Sequence, residues 1–295
     1  MRISVTGATG FIGRHLVNRL LTADHEVVAL VHTNSGEGTA GKGVTRAAGS
    51  VEDVPSLEAA FGGVTTVYHL VGLIAESGTA TFEQTVVRGT ENVVAASQAM
   101  GVSRIVYLSA MGAAADAPSQ YHRTKHRAEQ AILSSGLEYV ILRSSVVYGP
   151  GDRFMSQLAN LITRLPVTPV IGNGKYRLQP IFIEDLTEIM YRALTTDEAV
   201  GRVVDVGGPE ELEYLEILDI LKSVLGRKRL NFFVPMAFMG LMARIMEMAI
   251  KPAPLTRDQL VMMEMGNTGD VREMTELFGV KPVSLPQGLK SYMRK

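Results

Sequence analysis

The chain has 295 residues, of which 46% are hydrophobic and 20% charged, and its formal net charge is −1. This composition is typical of a folded globular protein with a sizeable core, and it argues against disorder and against a nucleic-acid-binding surface. Because the chain contains no cysteine, disulfides, thiolate catalysis and cysteine metal sites are excluded.

The first thirteen residues join a short strand to a helix through a glycine-rich turn. A β-branched run ends at Gly7, helical apolar spacing begins by Phe11, and further glycines follow at positions 10 and 13. Gly7 permits a sharp turn, Gly10 permits close approach of a phosphate, and Gly13 lets the helix lie close to the strand. The N–H groups at the start of that helix favour a pyrophosphate. The stretch predicts a dinucleotide site; the alternative is a flexible turn.

Strand and helix patterns then alternate as far as residue 143. The predicted strands are Arg2–Val5, Glu26–His32, Thr45–Ala48, Thr65–Val71, Arg104–Ser109 and Tyr139–Arg143. The predicted helices are Phe11–Leu21, Val54–Phe61, Phe82–Met100 and Tyr121–Ser134. This alternation predicts an α/β fold of the Rossmann type, a doubly wound parallel sheet covered by helices on both faces. Ligands of such sheets bind at the carboxyl ends of the strands, where five of these residues fall: Gly7, His32, Val71, Ser109 and Arg143.

The pattern loosens after Pro150. We predict helices at Met155–Leu165, Glu184–Leu194 and Leu212–Leu225, strands at Arg202–Val206 and Leu230–Val234, and a turn at Gly172–Lys175. A glycine-rich stretch earlier in the chain, from Thr33 to Gly43, is predicted to be a loop. We expect a dinucleotide-binding domain over 1–150, to which 178–208 returns, and a smaller, mostly helical substrate lobe over 151–177 and 209–295.

Tyr121 and Lys125 lie four residues apart, and therefore on one face of a predicted helix. A nearby lysine cation is expected to lower the pKa of the tyrosine from its ordinary value of about 10. Tyr121 could then act as general acid for the alkoxide formed when a carbonyl accepts a hydride, and Ser109 could hydrogen-bond the same oxygen. Chance spacing is the alternative, and the glycine-rich turn and the Ser109 strand end disfavour it.

Several motifs occur in order along the chain: Thr6–Gly13, Tyr68–Gly72, Leu108–Ser109, Tyr121-x-x-x-Lys125, Leu142–Gly151, Phe182–Asp185 and Asp205–Gly208. Together they resemble the extended and atypical short-chain dehydrogenases/reductases over nearly the whole chain. Leu255–Leu260 and residues 143–151 are most similar to one branch. That branch contains the NADPH-binding accessory subunit of respiratory complex I and its bacterial relatives.

The resemblance implies a Rossmann fold, a bound nicotinamide dinucleotide and a Ser/Tyr/Lys site. In that site Ser109 would orient the substrate oxygen, Tyr121 would donate the proton and Lys125 would hold the nicotinamide ribose. The implied cofactor-binding residues are Gly7, Thr9, Gly10, Phe11, Ile12, Gly13, Arg14, His32, Val71, Gly72, Lys125, Ser144 and Val146. The helices at 82–100 and 121–134 often pair between subunits in proteins of this kind, so a homodimer is one alternative and the oligomeric state stays open.

Four positions depart from the family pattern. The interval between Ser109 and Tyr121 is shorter than in the sugar-modifying members, and Ser119 is the alternative for the serine role. Three other residues stand where the family usually has an asparagine, a proline and an acid: Val86, Ser144 and Ser50. The complex I relatives bind their cofactor largely as a structural element. The presence of Tyr121 and Lys125 therefore does not decide whether the cofactor takes part in a reaction.

The end of the second strand indicates which dinucleotide is preferred. An acid there would bind a ribose 2′-hydroxyl and repel a 2′-phosphate. The chain instead reads Val31-His32-Thr33-Asn34, and Arg14 follows the third glycine, where it could meet the phosphate. We therefore predict NADP(H) in preference to NAD(H).

A methionine-rich helical segment over 236–250 has two interpretations. The favoured one is that Met236, Met239, Met242 and Met246 pack in the core of the small lobe. The alternative is an adaptable apolar wall for an apolar substrate, a partner protein or a membrane surface. An N-terminal strand in place of a signal core, and no uncharged apolar run of about 18 residues, predict a cytoplasmic protein, peripheral to the membrane in the alternative case.

Three histidines could suggest other chemistry. His122 and His126 have a spacing that can hold zinc, but no third ligand is evident, so we predict solvated helix residues and no metal. His69 is predicted to be a hydrogen-bonded core residue.

The leading hypothesis is an NADP(H)-dependent oxidoreductase acting on a carbonyl or related group of a small apolar substrate. The alternative is a non-catalytic NADPH-binding protein, structural or sensory, beside a respiratory or membrane assembly. A sugar-nucleotide epimerase or dehydratase with bound NAD is a third hypothesis. It is disfavoured by the short Ser109–Tyr121 interval and by the absence of an acid after the second strand.

Overall fold

A computed structural model describes residues 1–32, 43–78, 80–250 and 253–293. The predicted loop from Thr33 to Gly43 lies outside these residues, except for Gly43 itself.

The described residues form thirteen strands and eleven α-helices. The strands are β1 (Arg2–Thr6), β2 (Glu26–Val31), β3 (Val44–Ala48), β4 (Thr66–His69), β5 (Arg104–Ala110), β6 (Glu138–Ser144), β7 (Val147–Tyr148), β8 (Val167–Ile171), β9 (Arg177–Leu178), β10 (Ile181–Phe182), β11 (Arg202–Val206), β12 (Leu212–Glu213) and β13 (Leu230–Val234). The helices are α1 (Phe11–Leu21), α2 (Val54–Phe61), α3 (Gly89–Ala99), α4 (Gln120–Leu133), α5 (Phe154–Arg164), α6 (Ile183–Arg192), α7 (Tyr214–Val224), α8 (Met236–Ala249), α9 (Arg257–Met265), α10 (Arg272–Phe278) and α11 (Leu285–Tyr292). A π-helical segment, Phe82–Arg88, leads into α3, and a short 3-10 helix spans Asp197–Ala199.

Seven strands form one sheet in the order β11-β6-β5-β4-β1-β2-β3, and every neighbouring pair is parallel. The chain runs outward from β1 to β3, then returns to β4 on the other side of β1 and continues outward. The order of strands therefore reverses between β1 and β4, which is where such sheets bind ligands, beyond the carboxyl ends of the strands. The predicted doubly wound parallel sheet is confirmed.

Helices bury both faces of this sheet. On one face, Leu16 and Leu20 of α1 and Leu186 and Ile189 of α6 join a fully buried cluster. The other face carries two clusters, one beneath α2 and one that includes Ile132 of α4. Each such aliphatic side chain contributes about 1.5–3 kcal/mol when it leaves water, so this layered packing fixes where the strand ends and helix starts lie.

A second core lies between α5, α7 and α11. Its buried residues include Met155 and Leu158 of α5, Ile217 and Leu221 of α7, and Leu289 of α11. Three small strand pairs accompany it: β7 with β10, β9 with β12, and β8 with β13. The remaining strand from this part of the chain, β11, joins the main sheet beside β6.

Two predicted helices begin differently in the structure. The predicted helix Phe82–Met100 begins with the π-helical segment. The side-chain oxygen of Thr81 caps it by accepting a hydrogen bond from the backbone N–H of Gln84. The predicted helix Leu212–Leu225 starts at Tyr214, because a capping box of Glu213 and Glu216 sets its first turn and β12 pairs with β9 just before it. Strands β7 to β10 were not predicted, since such short pairs leave little periodic signal.

The methionines of α8 lie between core and solvent. Met236, Met239, Met242 and Met246 are each partly buried and none belongs to the second core, while Ala243 is the one fully buried residue of the helix. On the same helix Phe238, Leu241, Ile245 and Met248 are 54%, 56%, 49% and 79% exposed, which the core interpretation did not predict. The reason is that the second core is completed by α5, α7 and α11, and α8 packs beside α9. In the part of the chain that the structure describes, no helix is both long and apolar enough to cross a membrane.

Candidate functional site

The glycine-rich turn between β1 and α1 has the geometry that each glycine was expected to supply. Gly7 has φ +73°, and a Cβ there would lie 3.1 Å from the carbonyl carbon of Leu70 and 3.2 Å from the nitrogen of Val71. A Cβ on Gly13 would overlap the carbonyl oxygen of Gly7 and lie 2.8 Å from Cα of Ala8. Gly10 precedes the first residue of α1, is exposed, and donates its N–H to Gly7 at 3.0 Å. The turn therefore presents an open helix N-terminus to a ligand.

The other predicted cofactor residues surround this turn at the carboxyl edge of the sheet. Partly exposed residues are Thr9, Phe11, Ile12, Val71, Ser144 and Val146, and fully exposed ones are Arg14, His32 and Gly72. The Ser144 hydroxyl donates to the carbonyl of Ser109 at 3.4 Å, which joins the ends of β5 and β6. A Cβ on Gly72 would lie 3.4 Å from Nζ of Lys125, so the segment that follows β4 passes close to the predicted catalytic lysine.

Lys125 is a buried cation at the end of β5. Its ammonium donates to the carbonyl of Leu108 at 2.7 Å and to the hydroxyl of Tyr107 at 3.2 Å, and lies 4.7 Å from the centre of the Tyr107 ring. Burial lowers the pKa of Lys125 to about 8, and the charge of Glu129 opposes this shift. The contacts fix the first half of α4 against the sheet.

Tyr121 lies one turn before Lys125 on α4, with its ring 6.2 Å from that of Phe82 in an edge-on contact. Burial raises the pKa of Tyr121 to about 12. The expected lowering by Lys125 is therefore wrong for this structure, because the ammonium is bonded to β5 and the phenol is shielded from water. A phenol with this pKa keeps its proton at neutral pH.

Ser109 faces a buried ion pair. Its hydroxyl donates to Oε1 of Glu129 at 2.6 Å, and Arg143 donates to both oxygens of that carboxylate at 2.8 and 2.6 Å. Glu129 is fully buried, and its hydrogen bonds raise the pKa of Arg143. The structure thus places Ser109 within a polar cluster that ties α4 to β5 and β6.

Ser119, the alternative serine, caps the N-terminus of α4. Its oxygen accepts the N–H of His122 at 3.4 Å, and its hydroxyl donates to Oδ2 of Asp258 at 3.0 Å. Asp258 also accepts the backbone N–H groups of Gln120 at 2.7 Å and Tyr121 at 3.0 Å. The carboxylate therefore holds the first turn of the helix that carries Tyr121.

His69 lies under the site as a fully buried link between two threonines, which confirms its predicted place in the core. Thr90 donates its hydroxyl to the carbonyl of Val86 at 2.6 Å, so at 3.0 Å it accepts from Nε2 of His69. Nδ1 then accepts the hydroxyl of Thr6 at 2.7 Å. Burial, reinforced by the nearby Lys125 charge, lowers the pKa of His69 to about 3, and the ring is neutral.

His122 is buried, not solvated as predicted. It is 2% exposed, and neither ring nitrogen has a hydrogen-bond partner among the described residues. A Cβ on Gly112 would lie 3.5 Å from Nε2 of His122, and burial lowers the pKa of this histidine, with Asp258 opposing. In the part of the chain that the structure describes, no group of three histidines or acids is placed to hold a metal ion.

Three side chains that organise this region were not singled out from the sequence. Glu129 lies one turn after Lys125 on α4, and that spacing was the signal available for it. Asp258 falls inside the noted stretch Leu255–Leu260, near the start of α9. Tyr107 lies two residues before Ser109 on β5, on the same face of the strand.

The chain resembles known proteins in both sequence and fold. The sequence profile described as the NAD dependent epimerase/dehydratase family matches residues 3–207. Two relatives in sequence are a mitochondrial NADH dehydrogenase [ubiquinone] 1 alpha subcomplex subunit 9 of Arabidopsis thaliana, 26% identical over 75% of this chain, and a 2-alkyl-3-oxoalkanoate reductase of Stenotrophomonas maltophilia, 27% identical over 78% of it.

The share of these proteins that is covered differs. The chain spans 57% of the Arabidopsis protein and 62% of a mouse protein of the same name, but 78% of the reductase. Among solved structures, a UDP-glucose 4-epimerase from Thermotoga maritima superposes with a TM-score of 0.78, covering 98% of this chain and 96% of that one. At 21% identity, this likeness shows the fold alone.

Proposed function

We propose that this chain, which belongs to the NAD dependent epimerase/dehydratase family, binds NADPH and uses it to reduce a carbonyl group of a small apolar molecule. The observation that carries the proposal is the pair Tyr121 and Lys125, one turn apart on α4, at the edge of the sheet where the glycine-rich turn opens. Members of this family bind a nicotinamide dinucleotide, and the preference for the phosphorylated form belongs to the proposal.

In the proposed site the residues of the glycine-rich turn hold the pyrophosphate, and Lys125 holds the nicotinamide ribose. When bound, the reduced nicotinamide supplies the hydride that the carbonyl carbon accepts. Tyr121 then gives its phenolic proton to the oxygen as the carbonyl electron pair moves onto it, and the phenolate regains a proton from water.

Tyr121 carries the proton that a reduction needs. Burial raises its pKa to about 12, so the phenol is protonated at neutral pH before any hydride arrives. The sugar-nucleotide hypothesis is disfavoured on other grounds, which are the short Ser109–Tyr121 interval and the absence of an acid after the second strand.

The neighbourhood of Tyr121 supports an apolar substrate. Phe82 contacts its ring, and Leu73 packs against the same apolar cluster as Tyr121. The related reductase is named for a ketone that carries an alkyl group, which agrees with this chemistry.

A second candidate function is a non-catalytic NADPH-binding protein. The observation that favours it is the hydrogen bond from the Ser109 hydroxyl to Glu129. Because this serine already has a partner, Tyr121 is the one predicted catalytic residue left to hydrogen-bond the substrate oxygen. The relatedness to a subunit of NADH dehydrogenase agrees with such a role.

One comparison separates the two functions. Purified protein with NADPH is assayed against aldehydes, enones, quinones and 2-alkyl-3-oxo acids, beside Tyr121→Phe and a control, Tyr139→Phe, on β6. For a reductase, Tyr121→Phe loses at least about a hundredfold in kcat and keeps its NADPH affinity, while Tyr139→Phe retains activity. Tight NADPH binding without turnover of any compound supports the second function.

A further inference from the structure

The segment from Leu230 to Ile250 carries a concentration of exposed apolar side chains. Of the large apolar side chains that are exposed in the described residues, eight lie in this segment and the other seven are spread from Met1 to Met265. We call the eight the exposed apolar surface: Leu230, Phe232 and Phe233 around β13, and Phe238, Leu241, Ile245, Met248 and Ile250 on and after α8. A concentration of exposed apolar side chains of this kind marks a binding site in a water-exposed fold.

The helical part of this surface forms one continuous face. Phe238, Leu241, Ile245 and Met248 recur at intervals of three and four residues, so they lie along the same side of α8. The partly buried methionines of α8 and the buried Ala243 are available to pack against α9, the neighbouring helix. The fold thus uses one side of the helix, and the outer side has no covering element among the described residues.

Cations flank the exposed apolar surface. Arg227, Lys228 and Arg229 come directly before Leu230, and Arg244 is exposed on α8. The acid within this stretch, Glu247, is paired with Arg257 at 2.8 Å. The segment is therefore positively charged in a chain whose net charge is −1.

The basic run also borders a depression in the surface. Its lining consists of Asp219, Lys222, Ser223, Arg227, Lys228, Arg229 and Leu230. Lys222 is engaged by Asp219 at 2.7 Å and by Asn231 at 2.9 Å, which leaves Arg227 and Lys228 as the exposed cations beside Leu230. Apolar side chains next to exposed cations match a lipid surface, where acyl chains lie just beneath phosphate groups.

We propose that the exposed apolar surface binds reversibly to an anionic phospholipid bilayer, with α8 lying in the plane of the interface and Arg227, Lys228 and Arg244 at the phosphates. A second copy of this chain is a poorer occupant, because the acid of this stretch, Glu247, is already paired with Arg257, so a self-complementary contact would offer the cations no anionic partner. The proposal does not depend on the reductase activity.

The test uses the full chain and sedimentation with vesicles of phosphatidylcholine, either alone or mixed with phosphatidylglycerol. We expect binding to the mixed vesicles, weakened by added salt because exposed charges are screened. The triple variant Phe238→Ser, Leu241→Ser, Ile245→Ser should bind at least about tenfold more weakly, since three side chains lose their apolar contact with lipid. Arg227→Glu with Lys228→Glu should abolish the preference for the anionic lipid.

Controls separate loss of binding from loss of fold. The variant Met100→Ser with Leu133→Ser removes exposed apolar side chains elsewhere and should bind vesicles as the wild type does. All variants should retain the wild-type melting temperature within a few degrees and the wild-type NADPH affinity. The proposal is overturned if the wild type ignores both vesicle types, if it binds them equally, or if the triple variant binds as tightly as the wild type. A dimer in solution that the triple variant dissociates would also overturn it.

Discussion

The carboxylate of Asp258 accepts a hydrogen bond from the backbone N–H of Tyr121 at 3.0 Å. It thereby holds α4, the helix that carries the proposed proton donor, although the two residues are far apart in sequence. Asp258 belongs to α9, and the residue before it, Arg257, bonds to Glu247 of α8 through both its backbone N–H and its side chain, each at 2.8 Å. A continuous set of contacts therefore runs from the exposed apolar surface through α9 to the start of α4.

Removing the Asp258 carboxylate should weaken the start of α4. The N–H groups of Gln120 and Tyr121 would lose their acceptor, and a negative charge would be lost beside a helix N-terminus. Asp258→Ala should lower the free energy of unfolding by about 1–2 kcal/mol, measured by urea denaturation. Asp258→Asn, which keeps one acceptor oxygen, should lose less. Asp116→Ala, at an exposed acid shortly before α4, is the control, and an equal effect there would contradict the assignment.

The buried His69 makes the free energy of unfolding depend on pH in the acid range. Its pKa is lowered to about 3 in the fold, from an ordinary value of 6.5. Below pH 6.5 the histidine is protonated in the unfolded chain but stays neutral in the folded chain. The contribution of neutral His69 to the free energy of unfolding is therefore fully present above pH 6.5 and is lost as the pH falls towards 3. Relative to His69→Gln, the wild type should lose up to about 1.4 kcal/mol per pH unit in this window. Unfolding curves at several pH values measure the difference, and parallel curves would contradict the prediction.

The elements that could be predicted from sequence are those fixed by local pattern. Helices α1 and α2 have the predicted bounds, because Gly10 and Asp53 precede regular apolar spacing that stops at Thr22 and Gly62. The parallel sheet followed from uninterrupted apolar strands that alternate with helices. In each case the information lies within about ten neighbouring residues.

The parts that could not be predicted depend on contacts between distant residues. Ser109 lies near the carboxyl end of β5 as expected, but its partner is Glu129, and only the packing of α4 against the sheet brings the two within 2.6 Å. The exposure of α8 is of the same kind, since a largely apolar helix looks like core until it is known which elements cover it. Asp258 acts on a helix 137 positions away from it.

A side chain at Gly13 should remove cofactor binding. A Cβ there would overlap the carbonyl oxygen of Gly7 and lie 2.8 Å from Cα of Ala8, and because both of these neighbours belong to the backbone, the turn would have to open. Gly13→Ala should therefore lose NADPH binding by at least about tenfold and unfold at a lower urea concentration. The control is Gly240→Ala on α8, where a Cβ meets nothing within 4 Å; this change should keep the NADPH affinity and add up to about 1 kcal/mol of stability. NADPH affinity unchanged in Gly13→Ala would place the pyrophosphate elsewhere.

The last prediction concerns Arg14, which is exposed in the first turn of α1, directly after Gly13. If its guanidinium binds the 2′-phosphate, Arg14→Gln should weaken NADPH binding about tenfold, equivalent to about 1.4 kcal/mol, and leave NADH binding unchanged, because NADH lacks that phosphate. The control is Arg19→Gln, on the same helix but paired with Glu188 at 2.8 Å, which should leave both affinities unchanged. Fluorescence titrations of both dinucleotides at fixed salt measure these constants. If Arg14→Gln weakened NADPH and NADH binding equally, Arg14 would be assigned to the pyrophosphate instead. If the wild type bound NADH as tightly as NADPH, the preference would be refuted, because a contact with the 2′-phosphate must show as a difference between the two affinities.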